Sequence, residues 1–415
     1  MQWRAAPRAL PSRPPGCAVA DPSSLPHFAR MHLLAAVACA LPWIVVPVAT
    51  LLRARHSQSL DEFSADAPAS SPLVSVVIPA RNEARNIERC VRSVLDARYP
   101  ALEVIAVDDH STDETGRILR RIAADDVRLR VVVPDALPAG WFGKQWACTA
   151  GHAESTGAIV AFFDADTWQT PDLLPRALHA MHASGADLLT VAGTQELGSF
   201  WERLVQPQVF GIMLMRYGGT EFVNSSRRVT DKIANGQCIF VRRAVHDALG
   251  GHGAVRDRVA EDLALAQLYF SRGKTTVLVL GLRQLSTRMY TSLRELVDGW
   301  GKNLYAGGVD AMPGGARLRV LYPIALVSPA LSGLVPPMLV ALSLGGITGG
   351  GVLAWAMIVS VANLLWWLVV YAVLEISPVY ALLYPLGSAI LLYITGRSVV
   401  RGRRVEWKGR EYTAV

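Results

Sequence analysis

Several acidic residues close apolar runs in this sequence, where a strand would end. Asp164-Ala165-Asp166 terminates AIVAFFDAD. Two carboxylates at i and i+2 can hold a hard divalent cation, and that cation can bridge a diphosphate. A solvated loop would account for the same triplet. Asp108-Asp109 close LEVIAVDD, where carboxylates can accept hydrogen bonds from a nucleobase or ribose. Helix capping explains Ser111 to Glu114 but not two adjacent acids at the end of an apolar strand. Lys144, after Gly143 in WFGKQWA, sits near a helix start. A cation beside free backbone N–H groups suits a phosphate, although a lone lysine is more often a surface residue. Glu261-Asp262 open the helical run LALAQLYF. They read either as an acidic first turn or as a general base for an acceptor hydroxyl. His179 and His182 fall at i, i+3 with no third ligand at a suitable spacing, and His110 and His152 likewise receive no metal role.

The elements that must position these groups begin at Leu73. LVSVVIPA, LEVIAVDD, RLRVVVP and AIVAFFDAD read as strands. RNEARNIERCVRSVLDA, TDETGRILRRIAA and GKQWACTAGHAES have helical spacing. Strands alternating with helices predict an α/β fold, a doubly wound and mostly parallel sheet covered on both faces. Ligands then bind at the carboxyl ends of the strands, where most of these acids fall. FWERLVQPQVFGIMLMRYG reads as a helix at a membrane face or along an acceptor groove. Residues 290–306 read as an amphipathic interfacial helix.

The chain has 415 residues, 51% hydrophobic and 18% charged, with mean hydropathy +0.28. That balance excludes a disordered chain. The net charge of +7 comes without a dense Lys/Arg run beside an aromatic platform or any nucleic-acid-binding signature, so no nucleic-acid partner is expected. Five cysteines with no C-x-x-C indicate neither a disulfide framework nor a zinc site. Residues 1–30 read as a disordered leader, with Met31 as a second candidate start. Residues 31–52 are long enough to span a hydrocarbon core of about 30 Å as an N-terminal transmembrane anchor. Arg53 and Arg55 follow, which predicts a cytoplasmic domain after the anchor in a multi-pass plasma-membrane protein. Residues 57–72 read as a polar linker and 73–289 as the catalytic domain. Residues 320–396 read as a C-terminal α-helical transmembrane region and 397–415 as a basic tail. Apolar stretches at about 320–345, 352–374 and 378–395 would put the tail outside if all three crossed, whereas its charge says inside. Either 320–345 or 378–395 therefore reads as an incomplete crossing.

Together these segments resemble the family 2 glycosyltransferases with a GT-A nucleotide-sugar domain, over about residues 72–305. VSVVIPARNEARNIERCVRSVL is similar to their opening strand and helix. VDDHSTDET resembles their nucleotide-binding turn, with His110 where Gly is usual. GKQWACTAGHAESTG, FFDAD and NGQCIFVRRAVHDALGGHG followed by AEDLALA resemble the donor, metal and acceptor segments, in the right order. PAGWFGKQWA, TRMYTSLRELVDGWGKN and WKGREY are similar to membrane-bound enzymes linked to carotenoid and hopanoid pathways. The Q-x-x-R-W motif of processive polysaccharide synthases is missing.

The resemblance implies a fold of GT-A type with transmembrane helices. It implies that Pro79, Glu83 and Asp109, or its neighbour Asp108, hold the nucleoside of a nucleotide-diphosphate sugar. Lys144 would neutralise phosphate. Asp164 would contact the sugar or ribose and, with Asp166, hold Mg²⁺ or Mn²⁺. Asp262 would be the catalytic base, with Glu261 beside it. Trp300, Lys302 and Asn303 would close the acceptor region at the membrane face. The implied reaction is inverting transfer of a sugar to a lipid acceptor, carotenoid- or hopanoid-like, among membrane lipids. Alternatives are a polyisoprenyl-phosphate or lipid-precursor glycosyltransferase, a synthase-like enzyme, and a non-catalytic nucleotide-sugar-binding scaffold.

Overall fold

The computed structural model describes residues 27–309, 312, 316–407 and 410–413, so residues 1–26 of the expected leader lie outside the described residues. Helices α1 (His27–Ala40) and α2 (Pro42–Ala54) come first, and α1 takes in the last four residues of that leader. The α/β domain follows with β1 (Val74–Ala80), α3 (Ile87–Leu95), β2 (Leu102–Asp108), α4 (Thr115–Asp125), β3 (Leu129–Val132), α5 (Gly143–Glu154) and β4 (Ile159–Phe163). Next are β5 (Thr167–Gln169), α6 (Leu173–Ser184), β6 (Leu188–Ala192), β7 (Thr194–Gln195), α7 (Phe200–Tyr217) and α8 (Thr220–Ser225). The domain continues through β8 (Cys238–Arg242), α9 (Arg243–Ala248), α10 (Glu261–Ser271), β9 (Thr276–Leu280), β10 (Leu285–Thr287) and α11 (Leu293–Gly308). Then come α12 (Ala316–Arg319), α13 (Tyr322–Leu344), α14 (Gly350–Val373), α15 (Val379–Leu382) and α16 (Tyr384–Arg401). A hairpin of β11 (Arg404–Trp407) and β12 (Arg410–Thr413) ends the described chain.

Seven strands form the main sheet in the order β3-β2-β1-β4-β8-β6-β9. Every pairing is parallel except those of β8, which runs antiparallel to both β4 and β6. The fold is therefore α/β with a mostly parallel sheet, as the strand–helix alternation implies. Strand β1 is buried at six of its seven positions, the near-continuous apolar run of a strand covered on both sides. The pleat divides it. Val76 and Ile78 join Ile87 and Val94 of α3, Leu119 of α4 and Leu173 of α6 on one face. Val77 joins Cys148 of α5 and Leu265 and Tyr269 of α10 on the other. Because β1, β2 and β4 are parallel, their carboxyl ends share one edge, where β2 and β4 both run into acidic residues.

One helix is shorter than its spacing predicts. RNEARNIERC reads as helical throughout, but α3 begins only at Ile87. Asn82 adopts the left-handed conformation, φ 54°. Its N–H donates to Ser111 Oγ (3.0 Å) and its Oδ1 accepts the Thr112 N–H (2.8 Å), which ties the turn after β1 to the turn after β2. Asn tolerates this conformation better than most residues because its side chain finds local partners.

The later helices form a second packed region. Ser199 and Glu202 form a capping box that starts α7, and at α11 the Ser292 hydroxyl accepts the Glu295 N–H (3.2 Å). Leu296, Trp300 and Leu304 of α11 are buried against Leu204 and Val209 of α7, Leu326 of α13 and Leu391 and Ile394 of α16. Residues 57–72 are pinned to the domain rather than loose, since Leu60 is fully buried and Ser59 bridges to Leu280. Three helical segments among the described residues are long and apolar enough to cross a membrane: Met31–Ala54, Tyr322–Leu344 and Gly350–Val373. The 378–395 stretch is not among them; it is divided between α15 and α16 at Leu383.

Candidate active site

Lys144 is the centre of the acidic cluster. It lies in the first turn of α5, beside the carboxyl edge of the sheet. Its Nζ pairs with Asp164 Oδ1 just beyond β4 and with Glu261 Oε1 at the start of α10, both at 2.6 Å. Burial works to lower the Lys144 pKa, but the charges of Asp164 and Glu261 outweigh it and hold it well above the ordinary value. An ammonium has three donors, so these two pairs leave one for a phosphate. Asp262 is next to this cluster without joining it. Its Oδ2 accepts the Gly236 N–H (2.9 Å) and its Oδ1 the Leu263 N–H (2.7 Å). A Cβ at Gly236 would come within 3.0 Å of Asp262 Oδ2 and 3.3 Å of Lys144 Nζ, so glycine allows this close approach.

The carboxylates perturb one another. Burial, then the charge of Glu261, lifts Asp262 to about 7. Burial, then Asp164 and Glu83, lifts Asp166 to about 8. Asp164 is also raised, mainly by burial, with Lys144 opposing. Crowded acids of this kind are relieved by a cation. Among the described residues no three acidic, His or Cys groups form a complete metal cage. Asp164 and Asp166 still fit a hard cation that takes its remaining ligands from water and phosphate. The Asp166 backbone is fixed by the end of β10, where its carbonyl accepts the Thr287 hydroxyl (3.0 Å).

Asp108 and Asp109, equivalent in the sequence, have different surroundings. Asp108 Oδ1 accepts the Ser111 N–H (3.0 Å), and Oδ2 fills the space that a Cβ at Gly116 would need, so this carboxylate turns toward the start of α4. Asp109 instead lines the main cavity with Pro79 and Glu83. His110 has φ 54°, which explains why glycine suits that position. Both oxygens of Asp109 are taken by Arg410 of β12, Nη1 to Oδ2 at 2.6 Å and Nη2 to Oδ1 at 3.2 Å. Tyr412 stacks on Phe142, ring centres 4.3 Å apart, and its hydroxyl accepts the Gly143 N–H (3.2 Å). The WKGREY segment thus supplies two site residues that its motif alone did not assign. Arg410 and Asp109 lie 301 positions apart, so no local spacing could join them.

A cavity of about 2180 Å³ connects these groups to the helices. At one end it is lined by Asp109, Lys144, Asp164, Asp166, Glu261 and Asp262. Trp300, Lys302 and Asn303 of α11 also line it, and the Lys302 charge acts on Asp164. Leu51 of α2, Leu326 and Pro329 of α13 and Val369, Val370 and Val373 of α14 line its other end. Trp300 is buried, with its ring edge-on to Tyr290 (5.8 Å) and Phe210 (6.1 Å), and its Nε1 has no hydrogen-bond partner among the described residues. Tyr290, at the start of the expected interfacial segment 290–306, also lines the cavity.

A largely parallel sheet with acids at its carboxyl edge, bordering this cavity, is a fold of GT-A type. Residues 75–250 match the family model of glycosyl transferase family 2. It is 28% identical over 256 residues to 4,4'-diaponeurosporenoate glycosyltransferase of Staphylococcus aureus, a match covering 61% of this chain and 65% of the relative, slightly under two thirds of its length. Its fold is similar to that of the mannosyltransferase PcManGT from Pyrobaculum calidifontis, solved with GDP-Man and Mn²⁺. That likeness has a TM-score of 0.54 at 19% identity and covers 89% of this chain and 97% of the other.

Proposed function

We propose that this chain is an inverting glycosyltransferase that moves a sugar from a nucleotide-diphosphate donor to a lipid acceptor at the cytoplasmic membrane face. The continuous cavity carries the reading: its acidic end suits a nucleotide sugar, and its apolar end opens among helices long enough to cross a membrane. A carotenoid-like or hopanoid-like acceptor agrees with the relative's name and with the missing processive-synthase motif.

Asp164 and Asp166 would hold Mg²⁺ or Mn²⁺, which when bound supplies positive charge to the departing diphosphate. Lys144 adds its remaining N–H to the same phosphates, and by holding Glu261 it fixes the start of α10. Asp109 and Pro79 border the nucleoside, with Glu83 nearby. Asp262, lifted to about 7, is poised to take the acceptor proton near neutral pH. The acceptor oxygen then attacks the anomeric carbon opposite the leaving diphosphate, and a single displacement inverts that centre. Trp300 offers its indole N–H where acceptor and donor would meet.

The Arg410–Asp109 pair supports one arrangement in the membrane. With the tail and the α/β domain meeting on one side, the chain between them crosses an even number of times. Two crossings by α13 and α14 satisfy this, with α16 packed on α7 and α11 without crossing. Arg53 and Arg55 after the anchor favour the cytoplasm for that side.

The test is incubation of membranes containing the protein with a panel of nucleotide sugars, Mn²⁺ or Mg²⁺, and carotenoid and hopanoid extracts. Mass spectrometry should detect a new glycolipid that Asp166→Ala fails to form. Metal-dependent nucleotide binding with no product from any lipid would favour the scaffold alternative.

A further inference from the structure

We propose that the C-terminal strand β12 competes with the donor nucleoside for Asp109, so that Arg410 must leave before the nucleoside is seated. This inference rests on the donor-site reading above. Asp109 is 1% exposed, and the guanidinium of Arg410 covers both carboxylate oxygens. A two-pronged guanidinium–carboxylate pair is charge-assisted and directional, so a neutral nucleobase N–H cannot take the same lone pairs while it stands. Tyr412 fastens the same strand through Phe142 and the Gly143 N–H. That N–H belongs to the first turn of α5, the turn that also carries Lys144. The tail therefore holds the carboxylate proposed for the nucleoside and, one residue before the phosphate lysine, a backbone N–H of the same helix turn. Donor binding exchanges these contacts for nucleoside contacts, and the tail lowers apparent donor affinity by the fraction of time it is docked.

The full-length protein in detergent would be titrated with UDP and with GDP, each with Mn²⁺, by calorimetry. Arg410→Ala and Tyr412→Phe would be compared with wild type, with melting temperatures to verify folding. Arg410→Ala should bind at least one nucleotide about tenfold tighter, because the docked fraction no longer subtracts from affinity, and Tyr412→Phe should fall between. Hydrogen exchange in the 404–413 peptide of wild type should accelerate when that nucleotide is added. Slower exchange, or equal or weaker binding by Arg410→Ala, would overturn the competition and make the tail part of the donor pocket. If no protein binds either nucleotide, the donor-site reading falls and this inference with it.

Discussion

The two ends of the cavity are built by opposite means. At the acidic end each functional group is fixed by named partners, as Lys144 is by Asp164 and Glu261 and Asp109 is by Arg410. At the helical end the lining includes Leu326, Pro329, Val370 and Val373, apolar side chains with no hydrogen-bonding groups. The first design selects chemistry by charge and geometry. The second would select by apolar shape, as the proposed lipid acceptor requires. Substitutions at the acidic end should therefore change the rate of transfer, and those at the helical end the use of acceptor.

The largest effect is expected at Asp262. Asp262→Asn removes the proposed base and keeps the shape, so transfer should fall by about 10²–10⁴-fold while nucleotide binding persists. In the unaltered protein the base must be ionised, so transfer should decline as pH drops below about 7. Rate measurements across pH test both points, and full activity in Asp262→Asn would remove the residue from the mechanism.

Val373→Trp probes the other end. Val373 is exposed and lines the apolar section, so a larger ring there narrows the passage without crowding the core. The narrower passage should raise the acceptor KM roughly tenfold, about 1.4 kcal/mol, and leave nucleotide affinity unchanged. Equal loss of donor binding would mean that the two ends are not separable.

The acidic end is far more legible in the sequence than the helical end. The triplet 164–166, Lys144 and the 261–262 pair stand in short motifs because strand ends and helix starts bring their neighbours to one edge. Choosing between Asp108 and Asp109 required tertiary facts, namely Gly116 beside one and Arg410 on the other. The helical lining left no motif, since any apolar helix supplies Leu and Val. Residues 378–395 have the composition of a span, yet the helix restarts after Leu383 with Pro385 in its first turn, where a missing N–H costs least.

A smaller effect is expected at the start of α7, the helix whose residues 210–217 line the cavity. Glu202 is fully buried there and accepts the N–H groups of Gly198 and Ser199 (2.9 Å each) and the fork of Arg288 (3.1 and 3.0 Å). Burial alone would raise this carboxyl, but Arg288, Ser199 and Gly198 outweigh it and bring it to about 2. A folded pKa below the unfolded 4.5 contributes stability above about 4.5, and that contribution is lost as pH falls toward 2. Glu202→Gln should lower the melting temperature at neutral pH and flatten its decline with acid. An unchanged acid profile would assign the decline to other carboxylates.

The smallest effect returns to the acidic end. His110 holds a left-handed φ of 54° in the turn beside Asp109. That conformation costs a non-glycine residue about 1–2 kcal/mol, whereas glycine loses roughly 0.5–1 kcal/mol more chain entropy on folding. His110→Gly should therefore stabilise the protein by about 0.5 kcal/mol, or roughly 1–2 °C in melting temperature. The Arg81 bond to the residue 110 carbonyl (3.2 Å) uses backbone and would survive the change. A fall in melting temperature would show that the imidazole makes a stabilising contact, and a change in nucleotide affinity would place that contact at the donor pocket.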